Sequence, residues 1–120
     1  MELQQLTEKL SNELDRLLTY YETHEPPQDL RDKTFFLFVK EVTNPIYELL
    51  EDWEEKALDF VKQHKKNLHP HQIVSTKENM ELLLMHTYYI DVKRKRYMEL
   101  NFSVHYVFGI LLEELEEKDC

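Results

Sequence analysis

The six histidines are the first residues to consider, because imidazole binds metals and transfers protons near neutral pH. A di-iron or di-manganese site in a helical bundle needs Glu-x-x-His, which projects both ligands from one helix face into the core. The residues three positions before His24, His64, His69, His71, His86 and His105 are Tyr, Val, Lys, Leu, Leu and Phe. None is acidic, so the sequence argues against a ferritin-like centre.

A zinc site is the second possibility, because His69 and His71 flank Pro70 and His64 precedes them by about one helical turn. Zinc would require a third or fourth ligand, usually a cysteine thiolate, and the single cysteine is Cys120. We therefore interpret these histidines as polar residues of a loop and of helix ends, and the sequence predicts no metal and no cofactor.

Four residues of the last two predicted helices form a possible ligand-binding cluster: His86, Tyr89, His105 and Tyr106. Such a cluster could line a small pocket, which would make the protein a small-ligand or metal-binding bundle. Tyrosine and histidine also commonly form a hydrogen-bonded rim where a helical core meets water. Both interpretations stay open at this stage.

Nucleophilic and phosphate chemistry have little support in this chain. Ser11, Ser75 and Ser103 are the only serines, and none follows a strand-to-helix elbow. Glycine-rich phosphate loops are excluded because the only glycine is Gly109. The sequence therefore predicts a protein that is not an enzyme, and a non-catalytic protein-interaction module is the favoured function.

The most conspicuous charged feature is the basic run Lys93, Arg94, Lys95 and Arg96. It is a candidate site for an acidic protein partner. It could instead form ion pairs with the acidic residues of the 22–32 segment, which are Glu22, Glu25, Asp29 and Asp32. The net charge of −9 argues against nucleic acid and anionic membranes as partners. Monomer and homodimer both remain open.

A second charged feature is the acidic segment 113–119, which opposes the dipole of a helix C-terminus. We expect its carboxylates to pair with Lys62, Lys65 and Lys66 at the same end of the molecule.

The elements that position these residues follow from composition and periodicity. The 120 residues suit one domain, hydrophobic residues make up 42%, and one glycine and four prolines leave few turns for a β-fold. The single cysteine, the absence of a signal peptide and the absence of a long apolar run predict a cytoplasmic protein.

Apolar residues recur at three- and four-residue steps over 2–24, 45–66, 71–90 and 96–118, which predicts four long helices. We therefore expect an all-α, up-and-down four-helix bundle with one additional short helix at about residues 30–43. This short helix is expected to begin after Asp29 and to be buried on several faces, because residues 35–42 are unusually apolar. If this segment is not fully buried, it becomes a surface for self-association or for a partner.

Two junctions leave alternatives. The apolar phase continues through Asn44-Pro45, so residues 30–66 could form one kinked helix. A break is favoured, because a helix from 45 to 66 matches the first helix in length and because proline is common at the first position of a helix. Residues 91–96 contain no Gly or Pro, so 71–118 could be one helix of a swapped dimer. A turn at 91–96 is the preferred interpretation, because it gives helices of similar length.

Several short motifs resemble the YppE-like family of small uncharacterised helical proteins from Bacillus and related Gram-positive bacteria. They are Phe35-Phe36, Trp53 with Ala57-Leu58, His69 with Gln72-Ile73, Tyr88-Tyr89, and the basic run followed by Tyr97. The resemblance covers about residues 35–118. It implies a helical bundle and no particular activity.

Overall fold

The computed structural model of this chain describes residues 1–64, 66–89 and 91–119. This part of the chain forms four α-helices: α1 (Leu3–Thr23), α2 (Lys33–His64), α3 (Pro70–Tyr88) and α4 (Arg94–Asp119). The helices pack in chain order, α4 also packs on α1, and α1 reaches α3 across the bundle. Short connections make consecutive helices antiparallel, so the predicted all-α bundle is confirmed.

The core consists of the predicted apolar stripes. Its fully buried members include Leu6, Leu10, Leu14, Leu50, Trp53, Ile73, Met80, Leu83, Tyr97, Val104, Phe108 and Leu111. Each set lies on one face of its helix because residues three and four apart are neighbours on a helix surface. The core therefore runs along the bundle axis and contacts every helix.

Two buried hydrogen bonds connect polar atoms inside this core. The indole Nε1 of Trp53 donates to Thr7 Oγ1 over 3.0 Å, and Thr7 Oγ1 donates to the Leu3 carbonyl oxygen. Tyr97 Oη lies 2.7 Å from Thr87 Oγ1, which itself bonds the Leu83 carbonyl oxygen. Burial raises the pKa of Tyr97 to about 12.

The predicted break at Asn44-Pro45 and the separate short helix at 30–43 are wrong, because α2 is continuous from Lys33 to His64 and contains Pro45. Proline removes one backbone donor, which leaves the carbonyl of Glu41 without its helical partner. Glu41, Asn44 and Pro45 are exposed, so that carbonyl lies on the outer side of α2, where water is available as a partner. Thr43, Ile46 and Leu50 keep the inner side buried, and this continuous packing decides the conformation.

The start of α2 also differs from the prediction. Asp32 caps the helix, since its Oδ1 accepts hydrogen bonds from the Thr34 amide over 2.9 Å and from the Phe35 amide over 3.3 Å. Asp29, the predicted N-cap, accepts instead from the amide of Arg31 in the preceding loop. The loop thus ends three residues later than predicted.

The predicted turn between the last two helices is confirmed, because α3 ends at Tyr88 and α4 begins at Arg94. The interpretation as one helix from 71 to 118 in a swapped dimer is wrong for this structure. Three predictions concern residues outside the described ranges: the ion pair of Lys65, the end of a helix at Ile90 and the single cysteine, Cys120. Among the described helices, none combines the length and apolar character that a membrane span requires.

Candidate functional site

The most exposed apolar segment lies at the N-terminal end of α2, and we call Leu30, Phe36, Leu37 and Phe38 the apolar tip. Their exposed fractions are 65%, 53%, 63% and 43%. The prediction that residues 35–42 are buried on several faces is therefore wrong: within this segment only Val39 is buried. The physical reason is the orientation of the helix, because Phe35, Val39 and Thr43 follow its inward face at four-residue steps, whereas Phe36 and Leu37 lie off that face.

The apolar tip is held in place by aromatic contacts on its inner side. Phe35 packs edge-on against Tyr89, with ring centroids 5.4 Å apart. Phe38 packs edge-on against Tyr88 at 6.3 Å and lies 6.5 Å from Tyr20. These contacts fix one side of the helix and leave Phe36 and Leu37 on the other side, facing solvent.

A groove of about 530 Å³ runs beside the apolar tip, where Phe38 and Val42 of α2 face Tyr20 and His24 of α1. The rings of Tyr20 and His24 stack with centroids 3.9 Å apart. Burial raises the pKa of Tyr20, so its hydroxyl stays protonated well above neutral pH. The groove thus extends the exposed apolar surface from α2 onto α1.

The basic run lies at the same end of the bundle as the apolar tip. Arg94 Nη2 pairs with Glu22 Oε2 over 3.1 Å, as the ion-pair interpretation predicts, and Arg96 Nη1 lies 3.6 Å from Glu99 Oε2. Lys93 and Lys95 are exposed, and neither forms an ion pair within the described part of the chain. The run as a partner-binding site stays a prediction, with two of its four cations already paired.

The predicted ion pairing between the acidic end of α4 and the lysines around the end of α2 is confirmed for Lys66, whose Nζ pairs with Glu117 Oε2 over 3.1 Å. Glu114 is nearly fully buried at 4% exposed, and its Oε1 accepts a hydrogen bond of 3.0 Å from the Asn67 amide. Both contacts fasten the α2–α3 loop to α4, so these residues serve the fold.

The four residues of the predicted ligand cluster lie on different surfaces. His86 lines a groove with Glu22, His24 and Arg94, whereas Tyr106 is exposed and lines a groove between α3 and α4. His105 Nε2 lies 3.2 Å from Asp15 Oδ1 of α1. Tyr89 packs on Phe35.

The structure therefore does not gather the four into one described groove, and the ligand pocket stays a prediction. Within residues 1–64, 66–89 and 91–119, no group of three or more His, Cys, Asp or Glu side chains is arranged to hold a metal ion.

Phe102 was not predicted as a surface residue, although its neighbour Tyr106 was a candidate for the ligand cluster. Phe102 and Tyr106 lie one turn apart on α4 and are both 65% exposed. The signal was present, because both positions fall out of phase with the inward residues Tyr97, Val104 and Phe108.

Comparison with known proteins gives concordant results. A family model described as a bacterial domain of unknown function (DUF1798) matches residues 7–115. The chain is 29% identical over 86 residues to the uncharacterised protein YppE of Bacillus subtilis (strain 168), an alignment that covers 71% of this chain and 70% of YppE. It also resembles the crystal structure of B. subtilis YppE with a TM-score of 0.81 and 22% identity, over 98% of this chain and 94% of the crystallised one.

Proposed function

Because this chain belongs to the DUF1798 family, whose members carry no assigned activity, we propose from its own surface that it is a non-catalytic, cytoplasmic protein-interaction module. The family membership agrees with the YppE-like resemblance of the sequence motifs. The partner docks on the apolar tip of α2 and on the groove beside it.

The exposure of Phe36 and Leu37 carries this proposal. Single exposed apolar residues are ordinary, but Phe36 and Leu37 are adjacent on α2, with Phe38 next to them and Leu30 in the preceding loop, and such clusters of exposed apolar residues mark binding sites. The patch is also preorganised, because Asp32 caps the helix and Phe35 and Phe38 anchor it to Tyr89 and Tyr88. A rigid surface loses little conformational entropy when it binds.

The charges around the apolar tip suggest the chemistry of the partner. Segments 20–41 and 91–96 contain seven Lys or Arg and six Asp or Glu, whereas the whole chain has 15 and 24. These two segments therefore carry a net charge of +1, whereas the remainder of the chain is strongly acidic and contributes Glu13, Asp15 and Arg16 to the groove. A partner segment with apolar side chains flanked by carboxylates fits this end best.

The test places a photo-crosslinking amino acid at Leu37, or at Val74 on α3 as the matched control, in cells that express the protein. A partner captured at Leu37 and not at Val74 is then purified, and its dissociation constant is measured by calorimetry. Replacing Phe36 and Leu37 together by serine is expected to weaken binding at least tenfold, about 1.4 kcal/mol. The control Val74→Ser/Leu82→Ser removes similarly exposed apolar side chains and should leave binding unchanged.

Two results would count against the proposal. One is equal crosslinking at both positions. The other is a captured partner whose dissociation constant is the same for the wild type and the tip variant. Both variants change exposed residues, so their melting temperatures should match that of the wild type and confirm that folding is intact.

A further inference from the structure

The outer face of α4 carries a second regular stripe, which points away from the core. Its residues are Lys95, Glu99, Phe102, Tyr106, Gly109 and Glu113, spaced 4, 3, 4, 3 and 4 apart, and all six are exposed. This alternation keeps side chains on one side of a helix and is the spacing of a helix–helix contact seam. The inward stripe of α4 is separate and faces α1 and α3.

The centre of this outer stripe is apolar and uncharged. Phe102 and Tyr106, one turn apart, are each 65% exposed. They line a groove of about 560 Å³ with Gln72, Ser75, Asn79 and Ser103, whose amides and hydroxyls both donate and accept hydrogen bonds. No Asp, Glu, Lys or Arg lines it, although such residues make up 32% of the chain.

That composition suits a contact between identical surfaces. Two copies that each carry a net charge of −9 repel each other, so they are expected to meet where the surface has no charge. A two-fold interface brings the same patch together twice, which requires a patch that complements itself. Groups that both donate and accept hydrogen bonds meet this requirement, whereas a cluster of like charges would not.

Gly109 supports a close approach by another backbone at the same stripe. It lies inside α4, where glycine costs roughly 0.5–1 kcal/mol relative to alanine. A Cβ built at this position would have no neighbour within 4 Å, so packing inside this chain does not require a glycine there. A second helix crossing the outer face of α4 would approach most closely at this position, because no Cβ separates the two backbones.

The charged ends of the stripe define the direction of the second helix. Lys95 and Glu113 lie nine residues on either side of Val104, and neither forms an ion pair within the described part of its own chain. In an antiparallel pair with its axis at Val104, Lys95 faces the partner's Glu113, Phe102 faces the partner's Tyr106, and Gly109 leaves space for the partner's Glu99. A parallel pair would place like charges together at both ends.

We propose that two copies of this chain form an antiparallel dimer through the outer face of α4. Phe102 and Tyr106 form its centre, Gly109 allows the helices to approach closely, and Lys95 pairs with the partner's Glu113 at each end. This interface lies on α4 and is distinct from the apolar tip of α2, which stays available to another protein.

Sedimentation velocity of the purified full chain, across about 1 µM to 1 mM, tests the dimer, since this range brackets the dissociation constants of small interfaces. The wild type is expected to pass from monomer to dimer. Phe102→Glu and Tyr106→Glu should each weaken association at least tenfold, because each places two like charges in the centre. The tip variant Phe36→Ser/Leu37→Ser is the control and should dimerise normally.

A charge reversal tests the antiparallel arrangement. Lys95→Glu and Glu113→Lys should each weaken the dimer, and the double variant should restore wild-type association, because the reversed pairs face each other again. Gly109→Gln should raise the melting temperature of the dilute monomer and weaken dimerisation.

A wild type that stays monomeric throughout, or a dimer abolished by the tip variant, would overturn the proposal. So would a double charge reversal that associates no better than the single variants.

Discussion

Tyr97 shows how one buried hydroxyl contributes to the stability of the bundle. Thr87 Oγ1 donates to the Leu83 carbonyl, so the Tyr97 hydroxyl must donate to Thr87. The Tyr97→Phe variant removes that hydrogen bond without creating a large cavity. We expect it to lower the free energy of unfolding by about 1 kcal/mol at neutral pH, measured by urea denaturation, since a typical buried hydrogen bond contributes that amount.

The same hydroxyl predicts a pH dependence. Its pKa is about 12 in the folded chain and 10.0 ordinarily, so the unfolded chain loses this proton first as the pH rises. The stability that this raised pKa contributes is fully present below pH 10. It is lost between pH 10 and pH 12, where the unfolding free energy falls by about 1.4 kcal/mol per pH unit. Tyr97→Phe should lose stability less steeply over this range. Identical slopes for the two proteins would contradict the assignment of this hydroxyl.

Thr7 accepts the other buried hydrogen bond, and replacing it distinguishes the contribution of its hydroxyl group from that of its volume. In Thr7→Val the Trp53 Nε1 loses its acceptor while the volume at Thr7 is kept. We expect a loss of about 1–3 kcal/mol in unfolding free energy, because a fully buried donor is left without a partner. Thr7→Ser keeps the oxygen and is the matched control. A Thr7→Val variant as stable as the wild type would contradict a stabilising role for this hydrogen bond.

At the scale of elements, sequence periodicity located α1, α3 and α4, because each has one apolar stripe. Pro26-Pro27 follows α1, and His69-Pro70 begins α3. The turn between α3 and α4 has no Gly or Pro, so it was predicted from matched helix lengths alone. The start of α2 could not be predicted in the same way. The local signals at Asn44-Pro45 favour a break, whereas the buried face formed by Val39, Thr43 and Ile46 spans it, and burial becomes visible only when the other helices are in place.

The same limit applies to the candidate site. Residues 35–42 are conspicuous for their apolar character in the sequence, which predicts burial or, if burial is incomplete, a binding surface. Only the packed structure shows that Phe35 and Phe38 contact the neighbouring helices and that Phe36 and Leu37 stay exposed. Phe102 could have been recognised from its phase on α4, since the inward positions were already assigned.

Pro45 is expected to weaken the continuous α2. Pro45→Ala restores an amide donor to the Glu41 carbonyl at an exposed site, and we expect it to raise the free energy of unfolding by about 1–3 kcal/mol. The gain in unfolding free energy should be smaller than the full difference in helix propensity between proline and alanine, because proline also restricts the unfolded chain. Asn44→Ala is the control, and it should change stability by much less. A destabilised Pro45→Ala variant would show that a bend at this position is needed for packing.

At the scale of the whole molecule, the two proposed surfaces lie on different elements. The apolar tip occupies the slightly basic end of α2, whereas the dimer surface runs along the outer face of α4. An antiparallel dimer about Val104 would place its two apolar tips far apart, because the molecule is 50 Å long. The dimer would then present two equivalent docking ends, which increases apparent affinity for a partner that is itself multivalent.

The uneven burial along α2 predicts an uneven stability of the molecule. Between residues 33 and 42 only Val39 is buried, one residue in ten, whereas six of the sixteen residues between 46 and 61 are buried: Ile46, Leu50, Trp53, Ala57, Phe60 and Val61. Segments with few buried contacts open at lower free energy than the core. Amide hydrogen exchange should therefore be at least tenfold faster for residues 37–43 than for residues 49–61, a difference of about 1.4 kcal/mol.

Binding of a partner to the apolar tip should slow exchange specifically in residues 37–43, because it covers the side of α2 that no other helix contacts. Dimerisation through α4 should leave this segment unchanged, so the two surfaces are distinguishable in one experiment. If residues 37–43 exchanged as slowly as residues 49–61 in the free protein, the start of α2 would belong to the cooperative core. Its exposed phenylalanine and leucine would then lie on an element that is as stable as the rest of the bundle before any partner binds.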